Sequence, residues 1–221
     1  MNTPPAPILS PLPWGVWLLA LTIGAVELVL WAGAHGLVNA VGAAGWRAQA
    51  MAWAGVNPAL QGWMLDTGQT PLRHLSRYVA FGFVHMGPVQ ALLVVVIIAA
   101  LGKYCAERLG SARVLLILAL AQAAGGAAFG MVGDAGAWLV GGYPLIFALA
   151  GIYAALARDM APDRRALLLA LALPLVLLIA RLTLAAIMGG MDWVADVVAC
   201  ATAFALAIAL RPGLLVRLRR R

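Results

Sequence analysis

The sequence predicts an all-α fold: a polytopic membrane protein whose six transmembrane helices form a bundle. Of the 221 residues, 64% are hydrophobic and only 10% are charged, and the mean hydropathy is +0.97. A soluble domain has about half apolar residues and about a quarter charged ones, so this composition indicates a membrane protein. Six apolar runs, separated by more polar segments, divide the chain into predicted spans.

The predicted spans cover residues 14–34, 78–101, 114–132, 144–157, 166–188 and 193–210. We interpret residues 14–210 as one membrane domain, residues 1–13 as a short N-terminal segment and residues 211–221 as a basic tail. We expect the first run to be retained, because residues 1–13 lack the basic residues of a signal peptide. The fourth run is short for a hydrocarbon core of about 30 Å. The backbone before it must therefore lie inside the protein or line a cavity.

The distribution of basic residues predicts the orientation of the spans. Lys and Arg are concentrated between spans two and three, between spans four and five, and in the tail: Lys103, Arg108, Arg113, Arg158, Arg164, Arg165, Arg211, Arg217, Arg219, Arg220 and Arg221. These regions share one side, which the positive-inside rule makes cytoplasmic. We expect an integral protein of a bacterial inner membrane with both termini cytoplasmic. The net charge of +7 then reflects topology, and no nucleic acid partner is expected beside the lipid bilayer.

The segment between the first two spans, residues 35–77, is too long for a plain connector. It contains Trp46 followed by Arg47, and two further tryptophans, Trp53 and Trp63. Apolar residues recur at helical spacing over residues 43–53. This pattern favours an amphipathic segment that lies in the membrane interface with its tryptophans at headgroup depth.

The stretch at residues 141–151 indicates a helix that begins below the membrane surface. Gly141 and Gly142 allow two backbones to approach closely. Pro144 suits the first helical position, where its missing N–H removes no hydrogen bond. This stretch is similar to the serine motif of the rhomboid intramembrane proteases, Gly-x-Ser-Gly followed by a small-residue helix. Gly141 and Gly151 fit that motif, but Tyr143 occupies the serine position and Pro144 the following glycine position.

The second span resembles the same family. Rhomboids show a His, a second His and then an Asn in this helix, followed by a Glu near an Arg-Leu-Gly-Ser ending. His85 matches the first His, whereas Gln90 occupies the position of the second His and Val94 that of the Asn. Residues 107–111 read Glu-Arg-Leu-Gly-Ser, as the resemblance requires.

The sixth span resembles the family's last helix, which carries the catalytic His and then two small residues four positions apart. Ala199 and Ala203 keep the small positions, which suit close packing in lipid. Asp196 occupies the position of the catalytic His.

The resemblance implies a rhomboid-like six-helix bundle with an interfacial first loop and a degenerate active site at Tyr143, Asp196, Gln90 and Val94. A phenol, with a pKa of about 10, is mostly protonated at neutral pH, and valine has no donor for an oxyanion. We therefore expect no catalytic residue, no cofactor and no metal. The prediction is an inactive protein that binds the transmembrane helix of another membrane protein or complex without cutting it.

Three charged residues fall inside predicted spans: Glu27, Arg181 and Asp196. Intramembrane charges are functional candidates, and they support two alternatives. One is a rhomboid-type protease homologue with altered or residual peptidase activity, in which Asp196 acts as the base that activates water. The other is a small transporter built on all three charges.

Arg181 and Asp196 lie at similar distances from the turn that follows Met188, so both reach a depth of roughly 10 Å. We predict that they form an ion pair, because an unpaired charge at that depth is costly. The competing arrangement turns Arg181 outward and lets Asp196 accept a hydrogen bond from Tyr143.

The orientation is testable with reporter fusions at Met1, at Arg221 and within residues 35–77. We expect the two terminal fusions to report the cytoplasmic side and the loop fusion the opposite side, because of the asymmetry in basic residues. Termini on opposite sides would contradict the six-span topology.

Overall fold

The computed structural model of the protein describes residues 11–211, which form helices and connecting loops. The helices are α1 (Trp14–Ala34), α2 (Trp46–Ala54), α3 (Pro58–Thr67), α4 (Leu72–Leu75), α5 (Arg77–Ala80), α6 (Pro88–Leu109), α7 (Ser111–Val132), α8 (Tyr143–Met160), α9 (Arg164–Met188) and α10 (Trp193–Ala209). Extended pairing within the described residues is limited to one antiparallel bridge between Val56 and Leu139. The predicted all-α class is confirmed.

The helices form a membrane bundle with α8 at its centre. By length and composition, α1, α6, α7 and α9 can cross a membrane, and α10 is a shorter apolar helix. The central helix α8 packs against α6, α7, α9 and α10, and twelve of its eighteen residues are buried. The buried part of α8 extends from Pro144 to Ala157, so protein and not lipid surrounds the start of this helix and the non-helical backbone before it.

Small residues allow a close contact between α8 and α10. A Cβ added to Gly151 would overlap the carbonyl oxygen of Cys200 and would lie 3.1 Å from the amide nitrogen of Phe204. On the facing helix, Ala199 and Ala203 are fully buried. Packing of this kind holds helices together in lipid, where no hydrophobic effect drives them together.

The predicted second span, residues 78–101, is wrong at both ends. The helix α6 begins at Pro88 and ends at Leu109. The preceding residues form α5, a 3-10 turn at Phe81–Phe83 and a segment ending at Gly87, whose backbone is extended. A proline disfavours helical geometry in the residue before it and suits the first turn of a helix, so Pro88 determines where α6 starts. The apolar run obscured this boundary, because a buried loop and a buried helix have similar composition.

The first loop folds into the short helices α2, α3 and α4, and the first of these covers the helical spacing predicted there. The Arg77 guanidinium donates hydrogen bonds to the carbonyls of Ala52 at 2.7 Å and Gly55 at 2.9 Å. The Asn57 side-chain amide donates to the carbonyl of Ala137 at 2.9 Å. The Arg77 bonds hold the first loop together, and the Asn57 bond attaches it to the segment that leads into α8.

A test of the close α8–α10 contact is the substitution Gly151→Ala. Adding a methyl group against the α10 backbone should cost about 1–3 kcal/mol through overpacking and lower the unfolding temperature in detergent. The matched control is Gly24→Ala in α1, where an added Cβ meets nothing within 4 Å. In a helix interior that control should instead gain about 0.5–1 kcal/mol. Equal effects of the two substitutions would show that α8 and α10 do not pack as described.

Candidate functional site

The start of α8 is held by hydrogen bonds to the non-helical segment before α6. The backbone N–H of Gly141 donates to the carbonyl of Phe81 at 2.9 Å. The backbone N–H of Gly142 donates to Nε2 of His85 at 3.2 Å, and the His85 side chain is fully buried. Because the donor is a backbone amide, Nε2 must be the unprotonated ring nitrogen. The lone pair that His85 could offer as a base is therefore already engaged.

Gly142 has no room for a side chain. A Cβ there would lie 2.6 Å from a methyl carbon of Val94 and 3.3 Å from Nε2 of His85. Gly141 has a φ of +103°, which favours glycine, and a Cβ there would lie 2.7 Å from Nε2 of Gln90. The sequence-predicted residues Gln90, Val94, Gly141 and Gly142 thus converge on one place, beside His85.

The two substituted positions on α6 have different roles. The Gln90 side-chain oxygen accepts a hydrogen bond from the backbone N–H of Met86 at 3.0 Å, so Gln90 closes the turn that begins α6. Val94 is fully buried against Gly142 and offers only methyl groups to its neighbours. The side chain at this position cannot stabilise a developing negative charge, because it has no hydrogen-bond donor.

Tyr143 is the first residue of α8, and 36% of it is exposed. The predicted first helical position, Pro144, is in fact the second and is buried. This one-residue difference still places the proline within the first turn, where its missing N–H is tolerated. No hydrogen bond joins Tyr143 to Asp196 in the described part of the chain, so the competing arrangement predicted for Asp196 is absent.

Asp196 lies in the first turn of α10 and is almost completely buried. Its Oδ2 accepts a hydrogen bond from Nε of Arg181 at 2.5 Å. A second nitrogen of Arg181 lies 2.7 Å from a carboxylate oxygen of Asp192. The predicted Arg181–Asp196 pair is therefore present, and it includes a third member that the sequence analysis missed. The pair holds α9 against the start of α10.

Glu27 also has a partner that the sequence analysis did not identify. The Arg47 guanidinium from α2 binds both carboxylate oxygens of Glu27, at 2.6 Å and 3.0 Å. The same guanidinium donates to the backbone carbonyl of His85 at 2.7 Å. Arg47 thereby connects α1, the first loop and the segment that carries His85. In the sequence, the Trp46–Arg47 pair could have pointed to this contact with Glu27, since a basic residue in a long loop is a candidate partner for an intramembrane carboxylate.

The two ion pairs are separate: within residues 11–211, Glu27 is paired with Arg47 alone, and Arg181 with Asp192 and Asp196. The same residues contain no group of His, Cys, Asp and Glu side chains placed to hold a metal ion. Among the described residues, the arrangement therefore consists of a hydrogen-bonded backbone and of charges that are paired within the protein.

Comparison with known protein families gives one match. The family model described as Rhomboid domain matches residues 72–213, which is more than half of the chain. The match includes the positions of Gln90, Val94, Tyr143 and Asp196, whereas α1 and most of the first loop precede it. No curated protein matches the chain.

The Arg181–Asp196 pair predicts non-additive stability losses. Arg181→Leu should cost roughly 3–5 kcal/mol, because it leaves the Asp196 carboxylate buried and unpaired. Asp196→Leu should cost less, because Arg181 keeps its contact with Asp192 at 2.7 Å. The double substitution should cost clearly less than the sum of the two. The measurement is thermal unfolding of all variants in one detergent.

The control for these single and double substitutions is Asp192→Asn. The Asp192 side chain is half exposed. This substitution should cost no more than about 1 kcal/mol, as is usual for an exposed ion pair. Strictly additive losses for Arg181→Leu and Asp196→Leu would contradict a direct contact between the two side chains.

Proposed function

Because the chain belongs to the rhomboid family, we propose that it is a non-catalytic member that binds transmembrane segments of partner proteins. The observation that carries the proposal is the state of the two catalytic positions. Tyr143 stands where the family has its serine, and Asp196, at the histidine position, is bound by the Arg181 guanidinium at 2.5 Å.

Serine-type peptide cleavage needs a nucleophile activated by an adjacent base. A phenol in place of the serine would itself need an adjacent base, and the carboxylate of Asp196 is already bound by the Arg181 guanidinium. The imidazole ring of His85, which lies beside the start of α8, accepts a hydrogen bond from Gly142. Neither arrangement supplies the nucleophile–base contact that the reaction requires.

Stabilisation of an oxyanion is also impaired. The reaction needs donors aimed at the oxygen on which negative charge develops. Val94 has no donor, and the N–H of Gly142 is already bonded to His85. Restoring only the nucleophile and the base would therefore leave the transition state without its usual donors.

The exposed surfaces of α6 and α9 support binding of a partner helix. Both helices pack against α8, and only Pro174 and Ala185 of α9 are buried. On α6, an exposed apolar stripe includes Val89, Leu93 and Val96. A transmembrane segment seated between α6 and α9 would lie beside the start of α8. In lipid such a segment is held by close packing and by interhelical hydrogen bonds, and Tyr143 offers a hydroxyl group for one.

The first experiment tests catalysis. The purified protein should not react with a serine-directed fluorophosphonate and should not cleave a model rhomboid substrate, whereas an active rhomboid protease assayed alongside should do both. The double change Tyr143→Ser and Asp196→His should restore little activity, because Val94, Pro144 and Arg181 remain. Labelling of the chain that disappears when the labelled residue is changed would overturn the non-catalytic proposal.

The second experiment tests helix binding with a photo-crosslinking residue at Leu93 on α6 or at Val176 on α9. Both positions should give the same discrete adduct with the transmembrane segment of a partner. The matched control is Leu21 on α1, an apolar residue whose exposed fraction, 62%, equals that of Val176. Equal crosslinking at Leu21, or lipid adducts alone at all three positions, would contradict a specific binding surface between α6 and α9.

A further inference from the structure

The junction between α8 and α9 carries three arginines that have no ion-pair partner in the described part of the chain. Arg158 lies near the end of α8, and Arg164 and Arg165 are the first two residues of α9. All three are exposed, and none takes part in a salt bridge among residues 11–211. The junction therefore presents uncompensated positive charge.

The two carboxylates of the same junction are engaged elsewhere. Asp159 pairs with Arg211 at 2.6 Å, next to the end of α10. Asp163 caps α9 by accepting a hydrogen bond from the backbone N–H of Ala166 at 2.7 Å. Neither carboxylate forms a salt bridge with the three arginines among residues 11–211. The junction therefore keeps an excess of positive charge that an anion from outside the chain can neutralise.

Other arginines at this end of the bundle are occupied by groups of the protein. Arg108 stacks on the Tyr104 ring, 3.5 Å from its centroid, and donates to the Tyr104 carbonyl at 3.1 Å. Arg113 donates to the carbonyl of Leu109 at 3.1 Å. The arginines of the α8–α9 junction differ from these because they are exposed and have no ion pair among residues 11–211.

An exposed apolar stripe continues from the junction along α9. Leu168, Leu169, Leu173 and Val176 follow Arg165 at intervals of three, four, eight and eleven residues, so they share its helix face. The exposed fractions of Leu168, Leu169 and Val176 are 58%, 69% and 62%. From Arg165 to Val176 the stripe is about 16 Å long, which is about half of a hydrocarbon core of about 30 Å. Its length matches the depth of one lipid leaflet.

We propose that the α8–α9 junction binds an anionic phospholipid. Arg164 and Arg165 hold the headgroup phosphate, since a guanidinium fork matches phosphate geometry and can bind it through two hydrogen bonds. Arg158 adds positive charge beside them, and an acyl chain lies along the apolar stripe below Arg165. Basic groups at helix ends attract anionic headgroups in this way. The arginines that hold the headgroup lie outside the residues assigned to partner-helix binding, and the apolar stripe shares only Val176 with that surface.

The experiment uses the full-length protein in a mild detergent, titrated with phosphatidylglycerol, cardiolipin or phosphatidylcholine of matched acyl chains. Native mass spectrometry counts the retained lipids, and thermal unfolding measures stabilisation. Phosphatidylglycerol or cardiolipin should be retained and should raise the unfolding temperature more than phosphatidylcholine does. Inorganic phosphate alone should have little effect, because it lacks the acyl chain. Equal retention of phosphatidylcholine, or equal stabilisation by inorganic phosphate, would overturn the proposal.

The matched variants are Arg164→Gln/Arg165→Gln and Arg108→Gln/Arg113→Gln, which remove the same charge from the same end of the bundle. The first should weaken anionic lipid binding about tenfold, the effect expected for losing a charge-assisted hydrogen bond, while the second should change it little. Unfolding temperatures without added lipid verify that each variant is folded. Undiminished binding by the first variant, or an equal loss in both, would show that the junction is not a lipid site.

Discussion

The structure depends on satisfying a stretch of non-helical backbone inside a membrane bundle. Lipid offers no hydrogen-bond partner, so each backbone group at that depth must find one within the protein. The segment before α6 and the two glycines before α8 solve this together: Gly141 donates to Phe81, and Gly142 donates to the His85 ring. The absence of a side chain at Gly142 allows this approach, because Val94 fills the space where a Cβ would lie. The position of α8, and with it the bundle centre, follows from these contacts.

Two ion pairs then secure the outer elements to this centre. Arg47 joins the first loop to Glu27 of α1 and to the carbonyl of His85, so the loop supports the same segment that supports α8. Arg181 joins α9 to Asp196 at the start of α10. Since α9 buries only Pro174 and Ala185, this pair adds to its packing against α8. The three charged residues on which the transporter alternative was based, Glu27, Arg181 and Asp196, thus form ion pairs that connect separate parts of the structure.

The proposed function separates the family's fold from its chemistry. The small residues that let helices approach closely are present at Gly141 and Gly151 and in α10. At the positions where the resemblance places the family's serine, asparagine and histidine, the chain has Tyr143, Val94 and the paired carboxylate of Asp196. Retention of packing without the reacting groups favours a binding function, because helix recognition in lipid uses shape and hydrogen bonding and needs no nucleophile.

The sequence by itself determined the fold class, the order of the helices, the family and the residues that converge beside His85. Fold class and helix order could be predicted because composition and small-residue spacing are properties of short stretches of sequence. The pairing of Arg181 with Asp196 could be predicted because a short turn joins their two helices and places both residues at similar depth. Only the tertiary structure decided the start of α6 and the partners of Glu27 and Asp192. A buried loop and a buried helix are equally apolar, so hydropathy does not distinguish residues 78–87 from the helix that follows. Arg47 lies twenty residues from Glu27 across a loop of several short helices, and no periodicity in the sequence relates two groups that only folding brings into contact.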